Sequence, residues 1–215
     1  MKFLKKLFSK KSIDNSSKNP KNNEQPKIAN AMTYEKEDIG KIEWNTEHNK
    51  DSLIFSNENQ TVKWNPKNGQ KAFLPTTTSL HLHSGKFTLD FNIEEINSAQ
   101  IGVGFMLLWD NGLLDWGFFG YLGAGFYAWS YDPSTGDVVN AENSIQGDLP
   151  KFENKHSGII TVELNLPRNA KGEGKFIING VESNPIKLPI GAVVVPAATL
   201  LKKEQKITIA NFKKY

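Results

Sequence analysis

Gly158–Val181 reads GIITVELNLPRNAKGEGKFIINGV, two alternating apolar runs around a segment rich in Lys, Gly and Glu. Successive residues of a strand point to opposite faces, so Ile160, Val162, Leu164 and Leu166 share one face. Thr161, Glu163 and Asn165 share the other, and Phe176 and Ile178 carry the apolar side of the return strand. The Lys/Gly/Glu segment is the expected turn between them. Asn179-Gly180 then supplies the two positive-φ residues that a type I′ turn needs. A half-buried antiparallel hairpin follows.

The same grammar extends in both directions. Leu53–Phe55 and Thr61–Trp64 flank a turn at Ser56–Asn59, and Asn65–Gly69 reads as another turn. Leu80–His83 alternates up to Ser84-Gly85. Phe87, Leu89, Phe91 and Ile93 fall strictly on one face of the next run. Gln100–Leu108 is apolar with two glycines, the pattern of a buried strand that something approaches closely. Phe126–Tyr131, Ala192–Leu201 and Lys206–Phe212 complete a set of short strands with no long helical period between them. This pattern predicts an all-β antiparallel sandwich of two curved sheets. It contains no internal repeat.

The 215 residues hold no cysteine, which excludes disulfides, thiolate zinc sites and a cysteine nucleophile. The net charge of +3 is unevenly spread. Residues 1–27 carry eight lysines against Asp14 and Glu24, a balance of +6, so residues 28–215 carry −3. Arg168 is the only arginine. Arginine is the preferred fork for phosphates and guanine edges, so this is a poor composition for a nucleic-acid reader. The heavy use of Lys and Asn is what an AT-rich genome encodes.

Met1–Lys11, MKFLKKLFSKK, places Phe3, Leu4, Leu7 and Phe8 at helical spacing among lysines. No continuous apolar run follows, so it is not a signal peptide. Two readings stand: a weak electrostatic anchor on anionic lipid, and a frayed, solvated terminus. Ser12–Lys27 is Asn/Ser/Lys/Pro-rich and cannot bury enough surface to offset its ordering entropy, so a disordered linker is expected. The expected organisation is residues 1–27 as basic start and linker, and residues 28–215 as the sandwich. No run reaches the roughly 18 apolar residues of a membrane-spanning helix.

The ordered series of these pieces resembles a SPRY (B30.2-like) domain. Leu53–Val62, LIFSNENQTV, is similar to that family's early strand pair, and Ser84–Ile93 to its S-G-x-x-F strand. Ile101–Phe105, IGVGF, resembles the buried G-V-G strand, and Gly123–Asp132 the Gly-rich aromatic segment. Gly147–Phe152, GDLPKF, lies where the family has a Y-G-x-x-F piece. Val162–Gly180 resembles the V-x-L-D…F-x-x-N-G hairpin, with Asn165 where Asp is usual. Val195-Pro196-Ala197 with Ile207–Phe212 is similar to the closing strands. Coverage is about residues 40 to 212. The resemblance implies a concanavalin-like sandwich whose partner peptides sit on loops at one end.

Trp109, Trp116, Phe118, Phe119 and Tyr121 crowd a Gly-punctuated segment. Large rings on a loop suit a binding surface, being rigid and low in entropy cost; they also suit a small satellite core. By the resemblance, Trp116, Phe119, Tyr121, Tyr131 and Asp132 are the candidate partner contacts, with Trp129 and Tyr127 as strand core. His81 and His83 share a face but lack a third ligand at a telling distance, so solvent-facing histidines are expected and no metal. Glu94-Glu95 point to opposite faces and cannot work as an acid/base pair. Asp132 and Asp137 bracket Pro-Ser-Thr-Gly and read as turn residues. No G-x-S-x-G or phosphate loop is present.

These readings predict a non-catalytic module that binds a protein or peptide through end loops, without cofactor and without nucleic acid. Two other possibilities stand beside it: a carbohydrate-binding or glycan-processing sandwich, and an adaptor tethered to a membrane through residues 1–11. The expected location is cytoplasmic, including the inner face of the membrane.

Overall fold

The computed structural model describes residues 41–47, 49–65, 74–94, 101–108, 122, 127–141, 143–152, 157–201 and 205–215. The expectations for residues 1–27, including Phe3, Leu4, Leu7 and Phe8, lie outside them. Every regular element among the described residues is a strand: β1 (Leu53–Ser56), β2 (Thr61–Trp64), β3 (Leu74–Thr77), β4 (Gly85–Glu94), β5 (Gly102–Leu107), β6 (Ala128–Asp132) and β7 (Asp137–Asn140) come first. Then follow β8 (Asn143–Gln146), β9 (Gly158–Leu166), β10 (Lys171–Ile178), β11 (Val181–Glu182), β12 (Ile186–Ile190), β13 (Val194–Leu200) and β14 (Lys206–Lys214).

They form two antiparallel sheets. The larger runs β1-β2-β14-β4-β9-β10-β11, with β12 also paired to β10; the smaller runs β3-β13-β5-β6-β7-β8. The sheets meet through the alternation read in the sequence. Phe87, Leu89, Phe91 and Ile93 of β4 lie beside Ile160, Val162, Leu164 and Leu166 of the neighbouring β9 on one buried face, in a cluster with Phe105, Trp129 and Tyr131 of the smaller sheet. Each such ring or branched chain removed from water stabilises the fold by about 1.5–3 kcal/mol. The layers are held by that burial.

The hairpin β9–β10 forms with Phe176 opposite Val162 and Ile178 opposite Ile160. Its turn, however, is Pro167–Ala170, and Lys171–Gly174 belong to the strand. The Lys/Gly/Glu expectation fails because Gly174 is wanted inside the sheet: a Cβ there would stand 2.5 Å from the ring of Phe105. Asn179 (φ 51°) and Gly180 (φ 80°) make the tight turn between Ile178 and Val181 as expected. Leu80–His83 is not a strand. Leu82 makes only an isolated bridge to Val194, carrying the chain from the smaller sheet into β4 of the larger.

The smaller sheet differs from a one-sided layer. β5, β6 and β13 are buried at every position. Their outward residues form a second apolar cluster of Met106, Leu108, Ala128, Val193, Val195 and Ala197, joined by Leu122.

Candidate functional site

β5 and β6 are hairpin neighbours, with Met106 opposite Ala128. Two residues would suffice to join such strands. The chain instead uses residues 108–127, which contain Trp109, Trp116, Phe118, Phe119, Tyr121 and Phe126. Hairpin connections commonly run about 2–5 residues, and a stretch of this length between paired strands is more often functional than a simple turn. Trp116, Phe119 and Tyr121 themselves lie outside the described residues.

The connection is pinned at both ends and once between. Leu107 N–H donates to Tyr127 O at 2.9 Å, and Leu108 N–H to Val193 O at 3.0 Å. Leu122 is fully buried on the outer face of the smaller sheet: its N–H donates to Thr199 Oγ1 at 2.9 Å and its carbonyl accepts from Ser130 Oγ at 2.6 Å. Thr199, Ser130 and Gly102 are small, and a Cβ on Gly102 would already stand 3.4 Å from the Leu122 carbonyl oxygen. Small residues on these strands are what admit Leu122.

Tyr131 and Asp132 sit elsewhere. Val103, near the start of β5, pairs with Tyr131, so the pair lies at the opposite end of β6 from Ala128. Four strand steps are about 13 Å. Tyr131 is wholly buried, its ring against Phe176 (6.5 Å) and edge-on to Phe152 (6.4 Å), its hydroxyl donating to Pro150 O. It therefore packs the core and is not a surface contact. The odd positions of β6 face inward, which puts Tyr131 beside Trp129 and explains the correction. Burial pushes the Tyr131 phenol well above its ordinary value.

Asp132 is also buried, and it holds its turn. Its Oδ1 accepts from Ser134 N–H (2.8 Å) and Ser134 Oγ (2.6 Å), and its carbonyl from Gly136 N–H (2.9 Å). Burial raises its carboxyl above the ordinary value, and the Ser134 and Thr135 hydrogen bonds pull it back. Asp132 thus acts as the turn residue its spacing from Asp137 suggested, and it offers little surface to a partner. Trp129 is core as expected, and Tyr127 packs half-buried against it.

A feature absent from the sequence reading lies on the outer face of the larger sheet. The outward residues of β4, β9 and β10 form a polar ladder: Asp90 accepts from Thr161 (2.7 Å) and Asn211 (3.1 Å), and Lys175 lies between Glu163 (3.0 Å) and Glu182 (2.9 Å). Two furrows of about 380 Å³ and 440 Å³ follow this face, sharing Lys86, Asn165 and Tyr215. The first passes Glu163, Glu173 and Lys175; the second ends among Lys86, Arg168 and Lys214. The signal was available: Lys86 is outward by parity in the strand that buries Phe87, and Arg168 was conspicuous as the sole arginine.

Among the described residues no three His, Asp or Glu side chains gather as a metal site. His81 and His83 flank Leu82, half-buried. Glu94 pairs with Lys206 at 2.8 Å, and Glu95 lies outside the described residues.

No protein-family model matches the chain, and none of the curated proteins does. Solved structures do. The TRIM65 PSpry domain superposes with a TM-score of 0.57 at 11% identity, covering 79% of this chain and 92% of that one. A human SPRY domain gives 0.55 at 14% identity, covering 73% and 93%, and the SPRY domain of human HERC1 gives 0.52 at 14%, covering 77% and 92%. The chain has the SPRY fold.

Proposed function

We propose that this chain is a non-catalytic recognition module that takes a protein or peptide segment through the aromatic residues of its β5–β6 connection. The observation that carries the reading is the length and content of that connection. Residues 108–127 join two strands that a tight turn could join, their sequence contains Trp116, Phe119 and Tyr121, and hydrogen bonds secure the stretch at Leu108, Leu122 and Tyr127. Rigid rings on a secured base lose little entropy on binding and bury much apolar area. The SPRY fold supports the class of function, since the likeness extends over most of the chain. Fold alone does not fix function, and the aromatic content of this connection supplies the remainder of the argument.

Panning a phage-displayed random peptide library against the full chain tests the reading. Enriched peptides should bind in calorimetry, and Trp116→Ala/Phe119→Ala should weaken them by about tenfold or more, the loss of at least one hot spot. The thermal midpoint should hold. Peptides that bind both proteins equally would remove the connection as the site. Enrichment of none would remove the peptide-binding function.

A further inference from the structure

The cations of the described surface fall into two groups. Lys41, Lys50, Lys175, Lys187 and Lys206 each pair with a carboxylate. Lys63, Lys86, Lys151, Arg168, Lys171, Lys213 and Lys214 are exposed and enter no ion pair among the described residues. Lys63 and Lys151 stand apart, but Lys86, Arg168, Lys171, Lys213 and Lys214 gather at one end of the larger sheet. Gly85 is opposite Leu166, Lys86 opposite Asn165, and Phe87 opposite Lys214, so neighbouring strands β14, β4 and β9 bring their basic ends together. Arg168 adds its fork from the Pro167–Ala170 turn. With residues 28–215 carrying −3 overall, such a concentration is not a consequence of composition.

The group is also built. Lys214 Nζ lies 5.5 Å over the ring of Phe87, which stacks in turn on Phe212 at 6.2 Å. That contact orients the ammonium without neutralising it. Tyr215 N–H donates to Lys86 O at 2.9 Å and closes the strand ladder beside the furrow. Lys86, Arg168 and Lys214 line a cavity of about 440 Å³ that contains no Asp or Glu side chain. The furrow then runs past Asn165 to Glu163 and Glu173, changing sign along its length.

We propose that Lys86, Arg168 and Lys214 form an anion pocket for the carboxylates of an acidic peptide segment lying along this face. Guanidinium and ammonium donors bind carboxylates through charge-assisted hydrogen bonds, and Arg168 can do so bidentately. A bilayer presents uniform negative charge and would meet Glu163 and Glu173 unfavourably, whereas an extended chain can match a furrow of alternating sign. Leu82 bridges to Val194 three residues before Gly85, so the pocket and the base of the β5–β6 connection share one end of the sandwich. The proposal stands on the charges alone and does not require the aromatic contact.

Fluorescence anisotropy of a labelled Glu-Glu-Glu-Gly-Gly-Lys peptide, acidic at one end only, with the full chain tests it. Lys86→Gln/Arg168→Gln/Lys214→Gln should weaken binding by about tenfold or more, and Lys5→Gln/Lys6→Gln/Lys10→Gln by less than about twofold. Amide shifts on adding the peptide to the wild-type chain should centre on Lys86, Asn165, Arg168 and Tyr215, a readout independent of any variant. Equal losses in the two triple variants would show attraction to charge in general and overturn the pocket. So would shifts confined to the β5–β6 connection, or absent. Phosphatidylserine vesicles that lose binding to the pocket variant, with peptide binding retained, would assign the site to a membrane and overturn the peptide.

Discussion

Phe105 of the smaller sheet stacks on Phe176 of the larger, ring centroids 5.8 Å apart and planes 22° from parallel. Phe176 is also 6.5 Å from Tyr131, so two rings of one sheet bear on a single ring of the other. Phe176→Ala would empty this junction in an interior that cannot collapse to fill it. The expected cost is about 3–5 kcal/mol. Urea unfolding followed by tryptophan fluorescence measures it, and a loss below about 1 kcal/mol would mean the layers meet elsewhere.

Gly174 and Phe105 should be coupled. A Cβ at Gly174 would stand 2.5 Å from Phe105 Cζ and 3.2 Å from Leu164 Cδ2. Gly174→Ala is therefore overpacking and should cost about 1–3 kcal/mol. Phe105→Leu alone leaves a void. The double variant lets the methyl occupy part of that void, so its cost should fall below the sum of the two by about 0.5 kcal/mol or more. Strict additivity in equilibrium unfolding would show the clash being absorbed by the backbone.

How much of this was legible before folding varies by residue. Strict alternation foretold the inward faces of β4 and β9, because one residue of slip would expose Phe87 through Ile93 together. Asn179-Gly180 was legible because few sequences satisfy two successive positive φ values. The turn at Pro167–Ala170 was misread because glycine signals both turns and close approach, and only the ring of Phe105 decides which applies at Gly174. Tyr131 was assigned to the surface by family analogy, although its parity with Trp129 pointed inward. Leu80–His83 alternates, yet it serves as a crossing between sheets. The basic pocket was illegible because Lys86, Arg168 and Lys214 are distant in sequence and meet only through strand pairing.

Asp132 gives the fold a pH dependence of known sign. Burial raises its folded-state pKa above the unfolded value, so the native state holds the proton more tightly. The associated stability is fully present below the unfolded pKa and is lost as pH rises through the raised folded value. Asp132→Asn keeps an oxygen to accept from Ser134 and carries no charge. Relative to wild type, the variant should gain stability between about pH 4 and pH 7. Urea midpoints at the two pH values read the difference, and a shift in favour of wild type at the higher pH would contradict the burial argument.

Thr199 and Leu122 supply the last test, because they join the sheet to the connection on which recognition is proposed to depend. Thr199→Val preserves shape while removing the acceptor of the Leu122 N–H, a fully buried donor. An unsatisfied buried N–H costs about 1–3 kcal/mol. Ser130→Ala removes instead a donor to the Leu122 carbonyl and should cost less, since an under-satisfied carbonyl is better tolerated. Hydrogen exchange by mass spectrometry should show faster exchange over residues 109–126 in Thr199→Val, less in Ser130→Ala, and little change in β9 and β10. Faster exchange throughout the sandwich would make Leu122 a core residue like any other. Exchange confined to 109–126, together with weaker binding of the panned peptides, would tie the rigidity of this base to its affinity, since a connection that must be ordered at the moment of binding loses part of what its rings gain.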